Sequence, residues 1–205
     1  MLLRRRVRLP ELTSFVDRLR SSLAGRTPQP VDRPEARRAA VALLVVPEGA
    51  DAAILFIKRQ LRVGDPWSGQ MALPGGFASP QDPSLEVTAR RETAEETGIE
   101  LDEAATLLGV LDDVSPRTPY LPPIVVRPFA FQLPARLPPR PGPEVETAVW
   151  LPASQLFSER HRRPFHLRLP GEVREFSSIV IGDYTIWGLT ERVLHQLEEM
   201  GAAGL

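Results

Sequence analysis

The sequence predicts an α/β fold in which helices pack on a mixed β-sheet, and three observations support this. Apolar segments typical of buried strands, such as residues 39–46 and 52–57, alternate irregularly with amphipathic helical segments. Hydrophobic residues make up 42% of the 205 residues, which is enough for a core and argues against disorder despite 22 prolines. The chain contains no cysteine, which excludes disulfide scaffolds, thiolate nucleophiles and cysteine-bound zinc or iron–sulfur centres.

The elements follow from hydrophobic periodicity and from helix-capping residues. Residues 84–97 form the clearest helix, because Ser84 can cap its start and Gly98 can end it. The other expected elements, in chain order, are a helix at 10–25, a proline- and arginine-rich linker at 26–37, strands at 39–46 and 52–57, a short strand near 71–73 within a loop at 58–83, strands at 106–111, 124–132 and 145–150, short strands within 165–181, and an amphipathic helix at 186–199. Proline-dense segments lie at 115–123 and 133–143, and the basic run 160–163 is expected to lie on a loop.

The chain therefore divides into an N-terminal helix and linker (1–37), one domain (38–199) and a C-terminal tail (200–205). The net charge of -1 gives no overall attraction to nucleic acid or anionic lipid. The basic start, residues 1–6, is not followed by a secretory h-region, and the longest apolar run, 39–47, is too short to span a bilayer. We expect a cytoplasmic protein that binds neither nucleic acid nor a membrane.

The chemistry is concentrated in the helix at 84–97. Glu92, Glu95 and Glu96 are spaced i, i+3 and i+4, so their carboxylates lie on one helical face. Stacked like charges favour a cation between them, and Mg²⁺ or Mn²⁺ prefers several oxygen ligands. Gly75 and Gly76 would let the backbone turn tightly and approach a ligand closely. The alternative is an ordinary exposed acidic face.

The segment 74–99, PGGFASPQDPSLEVTARRETAEETGI, resembles the signature of the Nudix hydrolases, which cleave a nucleoside diphosphate linked to another group. The family pattern is Gly, five residues, an acid, seven residues, Arg-Glu, an apolar residue, any residue, Glu-Glu, any residue, Gly and an apolar residue. Here Gly76 is followed after five residues by Asp82, and after eight more by Arg91. The chain departs from the pattern by having Asp in place of Glu and one extra residue, and both changes affect the Asp82–Arg91 pair.

The resemblance implies a Nudix-type α/β/α sandwich around a mixed β-sheet and a metal-dependent pyrophosphatase. It implies that Glu92, Glu95 and Glu96 are catalytic and, with Gly76, hold the metal. It also implies that the remaining motif residues, Asp82, Arg91 and Gly98, are structural.

The extra residue is also found in the coenzyme A pyrophosphatase branch of the family, which the chain resembles over roughly 38–199. The companion motif of that branch is matched imperfectly by Arg59 and by Gly69-Gln70-Met71-Ala72-Leu73-Pro74-Gly75-Gly76. Segments 144–152 and 186–190 resemble other parts of the branch. The resemblance implies that Arg59, Gln70 and Gly75 bind substrate, and Lys58, Arg62 and Trp67 are further candidates.

The expected reaction cleaves coenzyme A or a derivative to 3′,5′-ADP and a phosphopantetheine product. Alternatives are another nucleoside diphosphate derivative (ADP-ribose, a dinucleotide or a damaged nucleoside triphosphate), or a non-catalytic Nudix-fold regulator, which the intact set of glutamates disfavours. The carboxylate that takes the proton from water is one of the three helical glutamates or one of four unranked loop acids: Asp112, Asp113, Glu144 and Glu146. The partner is a small-molecule nucleotide, and a homodimer is left open.

Overall fold

The computed structural model describes residues 13–65, 67–118, 120–169 and 171–200. Residues 10–12 of the predicted first helix and 201–205 of the predicted tail lie outside this part of the chain. Within it lie four α-helices and ten strands: α1 (Phe15–Leu23), β1 (Arg37–Glu48), β2 (Asp51–Arg59), β3 (Met71–Ala72), β4 (Gly75–Phe77), α2 (Leu85–Thr97), β5 (Thr106–Val110), β6 (Ile124–Gln132), β7 (Val145–Pro152), α3 (Ala153–Leu156), β8 (Arg162–Leu169), β9 (Glu172–Ile181), β10 (Tyr184–Trp187) and α4 (Gly188–Glu199).

The central sheet has seven strands, with the order β3-β2-β1-β6-β5, and with β4 paired to β1 and β7 paired to β2. Strands β1 and β6 run parallel, from the Arg37–Ile124 pair to the Val45–Gln132 pair. The other pairings, such as β1 with β2 and β2 with β7, are antiparallel. This arrangement confirms the predicted mixed sheet.

Both faces of the central sheet are covered, because alternate residues of β1 enter two different cores. Leu43 and Val45 pack with residues of α1, α3 and α4 on one side. Leu44 and Val46 pack with residues that include Ala89 of α2 on the other side. A strand buried on both faces reads as a continuous apolar run, which is why 39–46 was recognisable in the sequence. The layers therefore form an α/β/α sandwich.

Strands β8, β9 and β10 form a second, three-stranded antiparallel sheet. The prediction of short strands within 165–181 underestimated it, since β8 pairs with β9 continuously from Arg162–Ile179 to Leu169–Glu172. The basic run 160–163 is therefore not a loop, because β8 begins at Arg162. The predicted helix at 186–199 begins two residues later, because the backbone of Ile186 and Trp187 pairs with β9.

The N-terminal helix and linker pack on the rest of the chain. Ser14 caps α1 by accepting a hydrogen bond from the backbone N–H of Asp17, and the apolar face of the helix is at most 3% exposed. Phe15 stacks on Phe157, with ring centroids 5.7 Å apart. The linker is held by the loop that follows β5, where the Asp113 carboxylate accepts a hydrogen bond from the backbone N–H of Val31. Among the helices described here, none is long and apolar enough to cross a membrane.

Candidate active site

Helix α2 brings the three motif glutamates to the wall of a cavity of about 1010 Å³. As predicted, the Ser84 side chain caps the start of the helix, and Gly98 ends it in the left-handed conformation with φ +66°. Thr93, a polar residue at an apolar position of the motif, is fully buried, and its hydroxyl donates to the Ala89 carbonyl oxygen. The side of α2 that carries Thr93 packs on the sheet, and the acidic face lines the cavity.

Glu96 is the buried member of the acidic face, with 6% of the residue exposed. Its Oε2 accepts a hydrogen bond of 2.8 Å from the backbone N–H of Gly75, and its Oε1 lies 3.9 Å from a guanidinium nitrogen of Arg59. Burial raises the pKa of Glu96 to about 7, against the opposing effects of the Gly75 amide and Arg59, and the charges of Glu92 and Glu144 add to the rise. The fold therefore holds this carboxylate where its negative charge is poorly compensated.

Gly75 and Gly76 lie in β4, which was expected to be loop, and they pair with β1 rather than forming a tight turn. Gly75 has φ +153°, and a Cβ there would lie 2.2 Å from the Ala40 carbonyl oxygen. At Gly76 a Cβ would lie 2.4 Å from a carboxylate oxygen of Glu92. Glycine is required at the first position by the backbone of β1, whereas at the second position a side chain would displace the end of the flexible Glu92 side chain.

Arg91 forms the predicted pair with Asp82 despite the two departures from the family pattern. Its Nε and Nη2 donate to the two oxygens of Asp82 at 3.0 and 2.8 Å. Asp82 also accepts hydrogen bonds from the backbone N–H of Ser79 and the hydroxyl of Thr88, and these donors, with Arg91 foremost, hold the pKa of Asp82 far below its ordinary value. The pair ties the segment after β4 to α2.

The positions of the carboxylates provide a test of whether this site suits a divalent metal. As the side chains lie, no group of three or more acidic or histidine residues in the described ranges converges on one point. Glu92 and Glu95 contact Arg91 at 2.7 and 3.3 Å, while Glu96 is held by the Gly75 amide. Burial nevertheless raises the pKa of both Glu92 and Glu96, which means that Arg91, Arg59 and the Gly75 amide compensate the ionised carboxylates only in part. A hard cation supplies that compensation, and the residues fit one.

Of the residues expected to bind substrate, Arg59, Gln70 and Gly75 line the cavity, as does Trp67. Arg59 donates to Asp65 at 2.9 Å, and its buried Nε has no hydrogen-bond partner among the described residues. Lys58 and Arg62 are not among the described residues that line the cavity. They pair instead with Glu146 at 2.6 Å and Glu144 at 2.9 Å.

The structure also separates the four loop acids. Asp113 is a structural residue, because its fully buried carboxylate accepts two hydrogen bonds from Arg127, at 2.7 and 3.0 Å. Asp112 binds Arg26 at 2.6 Å, and Glu146 binds Lys58 outside the cavity. Glu144, just before β7, lines the cavity and raises the pKa of Glu92 and Glu96.

Comparison with known proteins identifies the family. The model of the NUDIX domain matches residues 36–169. The chain belongs to the Nudix family. It is 29% identical over 92% of its length to an uncharacterized Nudix hydrolase, NudL, of Photorhabdus laumondii, and covers 96% of that protein. It is also 29% identical over 84% of its length to the human mitochondrial coenzyme A diphosphatase NUDT8, of which it covers 72%.

The chain spans as little as 32% of one curated relative that it matches. Among solved structures, a MutT/nudix family protein from Enterococcus faecalis superimposes with a TM-score of 0.55 at 20% identity, over 82% of this chain and 64% of that one. These comparisons confirm the Nudix resemblance and the fold, and they support the prediction of a hydrolase.

Part of the cavity wall lies beyond the matched Nudix segment, in β9, β10 and α4. Leu167, Phe176 and Trp187 line the cavity, and Trp187 stacks on Phe165 with ring centroids 4.4 Å apart. Two arginines that the sequence analysis did not single out, Arg117 and Arg192, also line the cavity. Nothing in the local sequence of either residue marks it as functional, because their shared position depends on packing between segments far apart in the chain.

Proposed function

We propose that this Nudix protein hydrolyses the diphosphate of coenzyme A or a derivative, releasing 3′,5′-ADP and a phosphopantetheine product. The observation that carries the proposal is one cavity lined both by charged groups, among them Glu92, Glu96 and Arg59, and by apolar side chains such as Phe176 and Trp187. A diphosphate that carries a long, largely neutral arm matches such a cavity. The likeness to a relative named as a coenzyme A diphosphatase supports the same substrate.

The three glutamates and Gly76 would hold Mg²⁺ or Mn²⁺ in this proposal. When bound, the metal would neutralise the diphosphate and lower the pKa of a water molecule. The Gly75 amide fixes the orientation of Glu96 through its hydrogen bond. Arg59 lines the cavity beside Glu96, and its guanidinium group supplies the positive charge that a phosphate oxygen requires.

Glu144 is the loop acid that we propose takes the proton from the attacking water. It lines the cavity, and its charge acts on both Glu92 and Glu96. Its carboxylate is about half exposed and contacts Arg62 at 2.9 Å, so Arg62 positions a carboxylate that a water molecule in the cavity can reach.

The proposal is tested with purified protein, Mg²⁺ or Mn²⁺, and a panel of coenzyme A, ADP-ribose, diadenosine tetraphosphate and an oxidised nucleoside triphosphate, with products separated by chromatography. We expect the highest kcat/KM with coenzyme A and release of 3′,5′-ADP. Faster turnover of another member of the panel would identify that compound, rather than coenzyme A, as the substrate. Binding without hydrolysis across the whole panel would indicate a regulatory module instead.

The matched pair Glu96→Gln and Glu103→Gln tests the role of the acidic face. Each substitution removes one negative charge, but Glu103 is exposed and lies outside the cavity. We expect Glu96→Gln to lose at least about 100-fold in kcat with the fold retained, and Glu103→Gln to match the wild type. Full activity of Glu96→Gln would contradict the assignment.

A further inference from the structure

Two arginines share the part of the cavity wall formed by α4 and by the segment before β6. Arg192, on α4, is half-buried, and its Nη1 donates a hydrogen bond of 2.6 Å to the Ser115 carbonyl oxygen. Arg117 is exposed toward the same cavity and makes no side-chain hydrogen bond or ion pair with any described residue. Burial lowers the pKa of Arg192, and the positive charge of Arg117 lowers it further. Two cations are therefore held near each other at one wall.

The carboxylate of Glu191 compensates this pair only in part: its charge opposes the fall in the pKa of Arg192, but burial and Arg117 outweigh it. Glu191 precedes Arg192 on α4 and lines the cavity, but its Oε1 contacts Arg162 at 3.2 Å. Arg162 also binds Glu198, whose second oxygen contacts His195 at 2.9 Å. The acidic groups of this region are thus engaged with Arg162 and His195. The positive charge of Arg117 and Arg192 remains directed toward the cavity.

The start of helix α4 adds a feature that suits an anion. The helix begins at this wall, and its N-cap residue, Trp187, provides no side-chain hydrogen bond to the first turn. The first amides of a helix carry partial positive charge, and uncapped they bind anions. Ser115 is buried and is not among the described residues that line the cavity, so its role here is to position Arg192 through its carbonyl oxygen.

We infer that Arg117 and Arg192 form a subsite for a phosphate group of the substrate that is not part of the diphosphate being cleaved. Guanidinium groups bind the oxygens of a phosphate through paired hydrogen bonds, and two of them match a dianionic phosphomonoester. The inference rests on the proposed function, which supplies such a group: coenzyme A carries a 3′-phosphate on its ribose. The diphosphate itself belongs near Glu96 and Arg59, where the candidate metal ligands lie.

The subsite is tested by comparing kcat/KM for coenzyme A and dephospho-coenzyme A, which lacks the 3′-phosphate. We expect the wild type to prefer coenzyme A by about 10-fold or more. Arg117→Gln and Arg192→Gln should lower kcat/KM for coenzyme A by about 10-fold and leave that for dephospho-coenzyme A within about 2-fold. Arg160→Gln is the control, because Arg160 is exposed and outside the cavity, so the same charge is removed elsewhere.

Equal loss on both substrates, or no preference in the wild type, would overturn the inference. Because Arg117 makes no side-chain hydrogen bond or ion pair with any described residue, a defect of Arg117→Gln cannot be assigned to the loss of such a bond. If neither coenzyme is hydrolysed, the proposed function fails, and the subsite is tested by calorimetric titration with adenosine 3′,5′-bisphosphate and AMP. If the wild type binds the bisphosphate more tightly than AMP, and Arg192→Gln abolishes this difference, the subsite is supported. Equal affinities of the wild type for the two nucleotides would refute it.

Discussion

The buried carboxylate of Glu96 should make the metal-free protein less stable as the pH rises. Below pH 4.5, its ordinary pKa, the group is protonated in both the folded and unfolded states. Between pH 4.5 and about 7 the folded protein keeps the proton that the unfolded chain has lost, so the free energy of unfolding falls with increasing pH. Since one pKa unit corresponds to about 1.4 kcal/mol, this group alone costs about 3 kcal/mol of stability above pH 7.

Glu96→Gln removes this dependence, because glutamine cannot ionise and its side-chain oxygen can still accept the hydrogen bond from Gly75. We expect the variant and the wild type to have similar free energies of unfolding at pH 4.5, and the variant to be more stable by about 2–3 kcal/mol at pH 8. The measurement is urea unfolding followed by tryptophan fluorescence, at a series of pH values in the presence of a chelator.

Comparing the two proteins cancels the titration of the other carboxylates, and Glu103→Gln controls for the general loss of one negative charge. The reasoning would be refuted if the difference in the free energy of unfolding did not change with pH, or if the wild type became more stable than the variant as the pH rises. With Mg²⁺ or Mn²⁺ in excess the difference should shrink, because a bound cation stabilises the ionised form of the wild type.

The remaining predictions concern the two glycines of β4 and the buried aspartate behind the site. Gly75→Ala should lower the free energy of unfolding by more than about 2 kcal/mol in urea titrations, because its Cβ would collide with the backbone of β1. Gly76→Ala should fold, because its Cβ displaces only the Glu92 carboxylate, and should lose metal affinity in a titration with Mn²⁺. Equal stability of the two variants would contradict this distinction. Asp113→Asn should destabilise the protein by about 3 kcal/mol, because the Asp113 side chain is fully buried against Arg127. Asp112→Asn should cost only about 1 kcal/mol, because the Asp112 side chain is 27% exposed. Similar thermal unfolding of both variants would show that burial is not the deciding factor.

The sequence determined those features whose causes are local. The acidic face of α2 follows from helical periodicity, and the ends of α2 follow from Ser84 and Gly98. The continuous apolar runs of β1 and β2 indicated buried strands, and with the amphipathic helices they predicted the layered fold. The motif spacing identified Glu96 as a candidate metal ligand, because the other two motif glutamates lie on the same helical face within about one turn of it.

Features that depend on contacts between distant segments could not be predicted. The short strand β4 has no apolar pattern of its own and exists because it pairs with β1. Likewise, the predicted C-terminal helix includes Ile186 and Trp187, the last two residues of β10, since only their pairing with β9 makes them extended. The sequence offered no way to rank the four loop acids, and Glu144 differs from the others only in facing the cavity.

What the sequence determined about this protein is therefore its family, its layered architecture and the carboxylates of one helix, since each is written in residues that are close together in the chain. Tertiary structure alone decided the environment of those carboxylates. The raised pKa of Glu96 arises from its burial in the fold, and the proximity of Arg117 to Arg192 arises from the docking of α4 on the segment before β6. Burial and the distance between charges are properties of the folded chain, and they set the chemistry of groups that the sequence can only name.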